Sequence, residues 1–238
     1  MRILITRPRE DAEPFARALM AAGHEPVIEP LLEIGFLDGP PLDLIGVQAI
    51  LLTSANGARA TAKRTPMRDI AVVAVGPATA AAARAAGFTR VSESEGEGEG
   101  VDALAAFARA TLKPADGALV HPAGSVAAGD LGGALSAQGF TVRRHVIYEA
   151  KAVDHLSGAV VAELSAGLID AVTFFSPRTA ALFVELIDEE ELGGACNRVT
   201  AICLSQAVAN VLAPVGFAHI KVAEKPSQDA MLAVIGAP

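Results

Sequence analysis

The 238-residue chain has no tryptophan, one tyrosine (Tyr148) and two cysteines, and only 4% of its residues are aromatic. So few rings argue against the stacking platforms on which single-stranded nucleic acids lie. A formal charge of −8 likewise argues against a basic stripe for a phosphate backbone. Cys196 and Cys203 have no His or second Cys pair at ligand spacing, so neither a disulfide framework nor a zinc site is expected. Each reads as a small apolar residue at or near a strand. No segment approaches the roughly 20 apolar residues of a membrane helix. The apolar run at the start, Met-Arg-Ile-Leu-Ile-Thr-Arg, is too short for a signal peptide and reads as a first strand, which leaves the cytoplasm as the default location. Neither a Gly-x-x-x-x-Gly-Lys-Ser/Thr loop nor a Gly-x-Gly-x-x-Gly after a strand occurs, and Gly96-Glu97-Gly98-Glu99-Gly100 is too acidic to cradle phosphate.

What the chain does have is 52% hydrophobic residues, enough for a large core, and one repeated local plan. In Leu51 to Gly57 an apolar run stops on small hydroxyl and amide residues, and an alanine-rich helical pattern follows. The plan returns at 172–179 and, more loosely, at 3–9, 73–79 and 119–125. Each is a buried strand running into a polar turn and then a helix. A helix N-terminus presents unpaired N–H groups and the positive end of the helix dipole, so each turn is a candidate corner for an anion. An acidic total charge does not oppose this, because a small anion responds to local donors.

Taken in order, the periodicity predicts strands at 2–6, 26–34, 49–53, 70–75, 89–91, 118–121, 141–148, 171–175, 199–203 and 219–222, with helices between them. Pro14 restricts the first helix to a start near Asp11, since proline is tolerated only in the first turn. Ser92 to Gly100 lacks anything to bury and reads as a solvated loop, with a lid as the sharper alternative. Strict alternation, with strands apolar on both faces, argues for parallel sheets covered by helices, an α/β fold.

The two halves resemble each other. Gly23, Val27 and Glu33 match Gly139, Arg143 and Glu149, Ser54 matches Ser176, and Gly87-Phe88 matches Gly216-Phe217, at offsets that grow slowly along the chain. That is the mark of a tandem duplication, with halves near 1–113 and 117–238. The short connection 113–117 and the longer ones at 35–46 and 149–156 divide the chain differently. They predict a discontinuous domain of 1–35 with 150–238 and a continuous one of 38–148, joined by two crossings. Ligand would then bind in the cleft between the domains, near the strand ends.

Leu4-Ile5-Thr6-Arg7-Pro8, Thr53-Ser54-Ala55-Asn56-Gly57, Val75-Gly76-Pro77-Ala78-Thr79, Ile147-Tyr148-Glu149, Phe175-Ser176-Pro177-Arg178 and Pro226-Ser227-Gln228 resemble, in this order, the landmarks of the uroporphyrinogen-III synthase family. The resemblance spans nearly the whole chain. It implies two flavodoxin-like domains on a two-stranded connector and a cofactor-free, metal-free reaction. In that reaction hydroxymethylbilane, a linear tetrapyrrole with eight carboxylates, loses water and closes with its last pyrrole ring inverted.

Tyr148 falls on the family's tyrosine that assists departure of the hydroxyl. Its bland alternative is a half-buried strand residue with its OH at the surface. Thr6, Arg7, Thr53, Ser54, Asn56, Gly76, Thr79, Ser176, Arg178, Ser205 and Ser227 map onto turns that would hold the substrate's carboxylates, and capping of the following helix is a compatible second role. Arg7, Arg178 and Lys225 are candidate counter-charges, although each reads more readily as a solvated surface charge, and His121 is a further candidate donor. Where many members carry a second Gly-Pro-x-Thr turn, this chain reads Cys203-Leu204-Ser205-Gln206, leaving Ser205 or Gln206 as the substitute. The resemblance implies a small-molecule substrate, a monomer and at most transient contact with the preceding pathway enzyme. A non-enzymatic two-domain protein that binds an anionic ligand is the rival reading.

Overall fold

The computed structural model describes residues 1–94, 100–126 and 129–236. The Glu–Gly run at 95–99, the centre of the segment read above as loop or lid, lies outside the described residues. The chain begins with β1 (Arg2–Ile5), α1 (Arg9–Ala21), β2 (Glu25–Ile28), β3 (Leu32–Phe36), β4 (Val47–Leu52), α2 (Ala55–Arg64), β5 (Ala71–Ala74), α3 (Pro77–Ala85), β6 (Arg90–Glu93) and α4 (Gly100–Thr111). It continues with β7 (Ala118–Gly124), α5 (Leu131–Ser136), β8 (Val142–Ala152), α6 (Gly158–Ser165), β9 (Ala171–Phe174), α7 (Pro177–Glu189), β10 (Thr200–Cys203), α8 (Gln206–Leu212), β11 (His219–Val222) and α9 (Gln228–Ile235).

These elements fall into two compact units, residues 1–33 with 151–238, and residues 34–150. In the first, the strand order is β2-β1-β9-β10-β11, and every neighbouring pair is parallel. Numbered along the chain, that is the 2-1-3-4-5 order of flavodoxin-like sheets. In the second, the order is β3-β8-β7-β4-β5-β6, with parallel pairing from β8 through β6. Counting from β7 and β8 and then β4 to β6, the five parallel strands repeat 2-1-3-4-5. With β3 set aside, each half of the chain therefore supplies two strands to one sheet and three to the other.

Strand alternation explains why both faces are covered. In β4, Ala49 and Leu51 pack with Leu104 of α4 and Leu131 of α5, while Ile50 and Leu52 pack with Ala58 of α2 and Ala83 of α3. In β1, Leu4 packs toward Phe183 and Val160, and Ile3 and Ile5 toward Phe15 and Met231. Phe15, Phe174 and Phe183 are fully buried. Each contributes about 2–3 kcal/mol of burial by area alone.

Three elements depart from the sequence expectation. The extended run at 26–34 is two strands, β2 and β3, which lie in different sheets. Helix α1 starts at Arg9, so Pro14 lies past its first turn. Pro14 is solvent-exposed, where water can take the carbonyl that its missing N–H leaves open. Strand β7 runs through Pro122 to Gly124 because its pairing with β4 ends at Val120 opposite Ile50, so Pro122 interrupts no ladder on that side.

Cys196 and Cys203 lie in the core of the first unit, and burial pushes their thiols up to about 11 and about 12. Alkylation of the native protein at neutral pH should proceed no faster than global unfolding, as read by mass spectrometry against a urea series. Rapid labelling of either thiol under native conditions would contradict this packing.

Candidate functional site

In a parallel α/β sheet the ligand-binding crevice lies at the C-terminal strand edge, where neighbouring strands lead off in opposite directions. In residues 34–150 those neighbours are β4, which leads through α2 to β5, and β7, which leads through α5 to β8. Beyond Ile50 and Val120 the two strands no longer pair. Thr53 and Ser54 follow the end of β4, and His121 to Gly124 form the free end of β7.

Ser54 is the N-cap of α2, with extended backbone and a hydroxyl that accepts the Gly57 N–H at 2.9 Å. Gly57 is buried against β7, where a Cβ would come within 3.3 Å of the Pro122 carbonyl oxygen and 3.4 Å of Ser54 Oγ. The missing side chain at Gly57 therefore leaves the Ser54 hydroxyl open on one side.

The Tyr148 hydroxyl reaches the same Ser54 oxygen. The β7–β8 register runs Ala123 opposite Val146 and then Gly124 opposite Tyr148, so Ile147 is an extra residue in β8. Such a bulge re-aims the side chain that follows it. Ile147 is buried with Leu42 and Ala60, and Tyr148 packs against that cluster. The phenol ring lies over Gly124, where a Cβ would stand 2.9 Å from Cζ, and its hydroxyl is 2.8 Å from Ser54 Oγ.

His121 is 7% exposed, with Nε2 3.4 Å from Thr53 Oγ1 and Nδ1 without a hydrogen-bond partner. Burial, helped by the Arg144 charge, lowers its pKa to about 4, so the ring is neutral at neutral pH. Arg144 donates to the Gly124 carbonyl at 2.9 Å. Asn56 Oδ1 accepts from Arg59 at 2.7 Å. Gly76 heads α3 in extended conformation with open space where a Cβ would lie, and Thr79 is buried in the first turn of α3.

The other unit repeats the plan at β1 and β9. Thr6 is fully buried and donates to the Thr173 carbonyl at 2.8 Å, so its hydroxyl stitches β1 to β9. The Arg7 guanidinium lies 4.1 Å above the Phe175 ring and 3.8 Å from Asp11. Ser176 caps α7, accepting the Thr179 N–H at 3.1 Å, and its hydroxyl also meets the Thr179 hydroxyl at 2.8 Å. Ser227 caps α9 by accepting from Ala230 at 3.2 Å. Arg178 and Lys225 are exposed. Ser205 holds the N-cap position of α8, but its side chain caps nothing, and Gln206 donates to Asn210 at 2.9 Å.

Thus Thr53, Ser54 and Tyr148 come together with His121 in one unit, and Arg7 and Ser176 stand at the corresponding edge of the other. Gly124 and Arg144 escaped the sequence reading, and Gly57 entered it only as part of the Thr53–Gly57 turn, with no role of its own. Only the Pro-Ala-Gly-Ser turn signal around Gly124 pointed at that stretch, and it did not name a partner. Among the described residues no group of three His, Cys, Asp or Glu is placed to hold a metal ion.

Two outcomes follow from this geometry. Gly124→Ala should displace the phenol ring and change the intrinsic fluorescence, which with one tyrosine and no tryptophan reports Tyr148 alone. An unchanged spectrum would show that the ring does not rest on Gly124. For His121 the folded pKa lies below the unfolded one, so between about 6.5 and about 4 the unfolded chain takes up a proton that the native one refuses. Stability therefore falls as pH drops through that window, by at most on the order of 2–3 kcal/mol. Urea unfolding of His121→Gln should show a flatter pH dependence than the wild type, and an identical dependence would contradict the assignment.

The family model described as uroporphyrinogen-III synthase HemD matches residues 13–233. A uroporphyrinogen-III synthetase structure from Helicobacter pylori superposes with a TM-score of 0.62 at 20% identity, covering 99% of this chain and 98% of that one. A mutant uroporphyrinogen III synthase from Thermus thermophilus gives a TM-score of 0.54 at 19% identity, covering 98% and 96%. No curated protein sequence matches significantly.

Proposed function

We propose that Tyr148 and the strand-end turns carry, in this chain, the reaction of the family to which it belongs, uroporphyrinogen-III synthase. That reaction closes hydroxymethylbilane to uroporphyrinogen III with loss of water and inversion of the last pyrrole ring, a lyase step of tetrapyrrole biosynthesis. The family match leaves the non-enzymatic binding protein without support.

The observation that carries the residue assignment is the placement of the one tyrosine, seated on Gly124 with its hydroxyl fixed by a helix-capping serine. The chemistry starts when the C–O bond of the terminal hydroxymethyl group breaks, its electron pair leaving with oxygen. The phenol proton of Tyr148 goes to that oxygen, so water departs and a cation remains, spread over the pyrrole nitrogen. The substituted α-carbon of the last ring bonds to the cationic methylene to give a spiro centre, the bond from that carbon to its original methylene bridge breaks and leaves a second cation on that bridge, and the ring's free α-carbon closes onto it, so that the ring ends inverted. The proton lost as the rings regain aromaticity restores the phenol, and the balance is one water lost.

Without a surface to hold the chain, the open tetrapyrrole closes to the symmetric type I isomer, so much of catalysis is control of conformation. The turns at Arg7, Thr53, Asn56, Gly76, Ser176, Arg178 and Ser227 hold the acetate and propionate groups through hydroxyls, guanidinium groups and free N–H groups at helix N-termini. Ser205 joins them through its hydroxyl, which the α8 cap does not use. Thr6 and Thr79, both buried, support these turns from beneath. The protein acts as a cytoplasmic monomer, supplied by transient contact with the enzyme that makes its unstable substrate.

Hydroxymethylbilane generated in the tube, incubated with the protein and oxidised, should give predominantly type III uroporphyrin on chromatography. Tyr148→Phe should slow single-turnover formation of type III by roughly 10²-fold or more, with type I taking its place. Wild-type single-turnover rates in that variant would remove Tyr148 from the acid role.

A further inference from the structure

The bond between Ser54 and Tyr148 can run in either direction, and the two directions differ in what they leave the phenol proton to do. Ser54 Oγ has one proton and two lone pairs, and one lone pair already accepts the Gly57 N–H at 2.9 Å. If Tyr148 donated to Ser54, the phenol proton would point into the α2 cap, away from any substrate. If Ser54 donates, Tyr148 accepts and keeps its own proton free.

The chain contains its own comparison. Ser176 caps α7 as Ser54 caps α2, and each accepts from the N–H three residues on. In α7 that third residue is Thr179, whose hydroxyl lies 2.8 Å from Ser176 Oγ. In α2 it is Gly57, and the Tyr148 hydroxyl occupies the same role at the same 2.8 Å. The glycine at 57, the bulge at Ile147 and the glycine at 124 together substitute a phenol for the local hydroxyl that closes the cap in α7.

We propose that Ser54 is a positioning residue for the cyclisation: its hydroxyl, polarised by the Gly57 N–H at the head of α2, donates to Tyr148, leaves the phenol proton to the departing hydroxyl of the substrate, and holds the phenolate that forms. This rests on the reading of Tyr148 as the acid. Hydrogen bonds in a chain strengthen one another, and a donor aimed at charge that develops only in the transition state accelerates the step. When the C–O bond breaks, its electron pair leaves with oxygen and Tyr148's proton completes water. The negative charge left on the phenol oxygen then faces the Ser54 O–H. It is discharged when the closing macrocycle gives up a ring proton. Ser54 is thereby committed to Tyr148 and does not serve as a carboxylate donor.

Three variants separate this role from capping alone. Ser54→Asp remains a strong N-cap but has no proton to give at neutral pH, so Tyr148 must donate to it. Ser54→Ala loses cap and donor together, and Ser54→Thr keeps both. Type III formation should fall roughly 10²-fold in Ser54→Asp, as for loss of one oriented donor. Ser54→Thr should restore most of what Ser54→Ala loses. The Raman Fermi doublet of the tyrosine ring reports whether a phenol accepts or donates, and with one tyrosine it is unambiguous. The wild type should show an accepting phenol without substrate, and Ser54→Asp a donating one. A purely donating phenol in the wild type, or wild-type turnover in folded Ser54→Asp, overturns the proposal. Full turnover by Tyr148→Phe overturns the acid assignment itself, and the spectra, which need no substrate, tell that failure from a reversed bond.

Discussion

In a parallel sheet each strand must be followed by a crossover, so the N-terminus of every crossing helix lands on the edge where the strands end. Everything functional in this chain hangs on that constraint. It concentrates N–H groups and the positive ends of helix dipoles on one edge of each unit, from β4, β5 and β7 in one and from β1, β9, β10 and β11 in the other. A protein of net charge −8 can thereby offer anion-binding corners without a basic surface. The acidic residues can remain elsewhere, because the field at a helix terminus falls off within a turn.

Onto this edge the middle unit adds one specific device. Two glycines and one extra strand residue bring a phenol to a serine that would otherwise only cap a helix. None of the three contributes chemistry. Gly57 and Gly124 act through the absence of a side chain, since a Cβ on either would meet Pro122 or the phenol ring. Ile147 acts by displacing the register of β8. Stability and placement are linked here, because Ile147 is held in a buried cluster with Leu42 and Ala60.

Much of the fold was legible because its signals are local. Continuous apolar runs in β1, β4 and β10 mark strands covered on both faces, and a serine at the start of an alanine-rich or apolar run marks a cap, as Ser54, Ser176 and Ser227 show. The same rule fails at Ser205, whose hydroxyl caps nothing although the sequence looks alike. Pro14 misled for a different reason: the rule against interior proline weakens on an exposed face, where water replaces the lost bond. Pairings at long separation were not legible. Tyr148 and Ser54 lie 94 residues apart, and nothing in either stretch announces the bulge that joins them. Thr6 reads as a turn hydroxyl for a substrate carboxylate but is spent between β1 and β9, a partnership visible only once the two strands are neighbours.

The central claim is that the Ser54 and Tyr148 hydroxyls work as one unit in breaking the C–O bond. A double-mutant cycle on single-turnover formation of uroporphyrinogen III tests it most directly, using Ser54→Ala, Tyr148→Phe and the two combined. If serine acts through tyrosine, the double variant is no slower than Tyr148→Phe alone. Losses that multiply in the double variant would mean that the two side chains contribute separately, and would contradict the account.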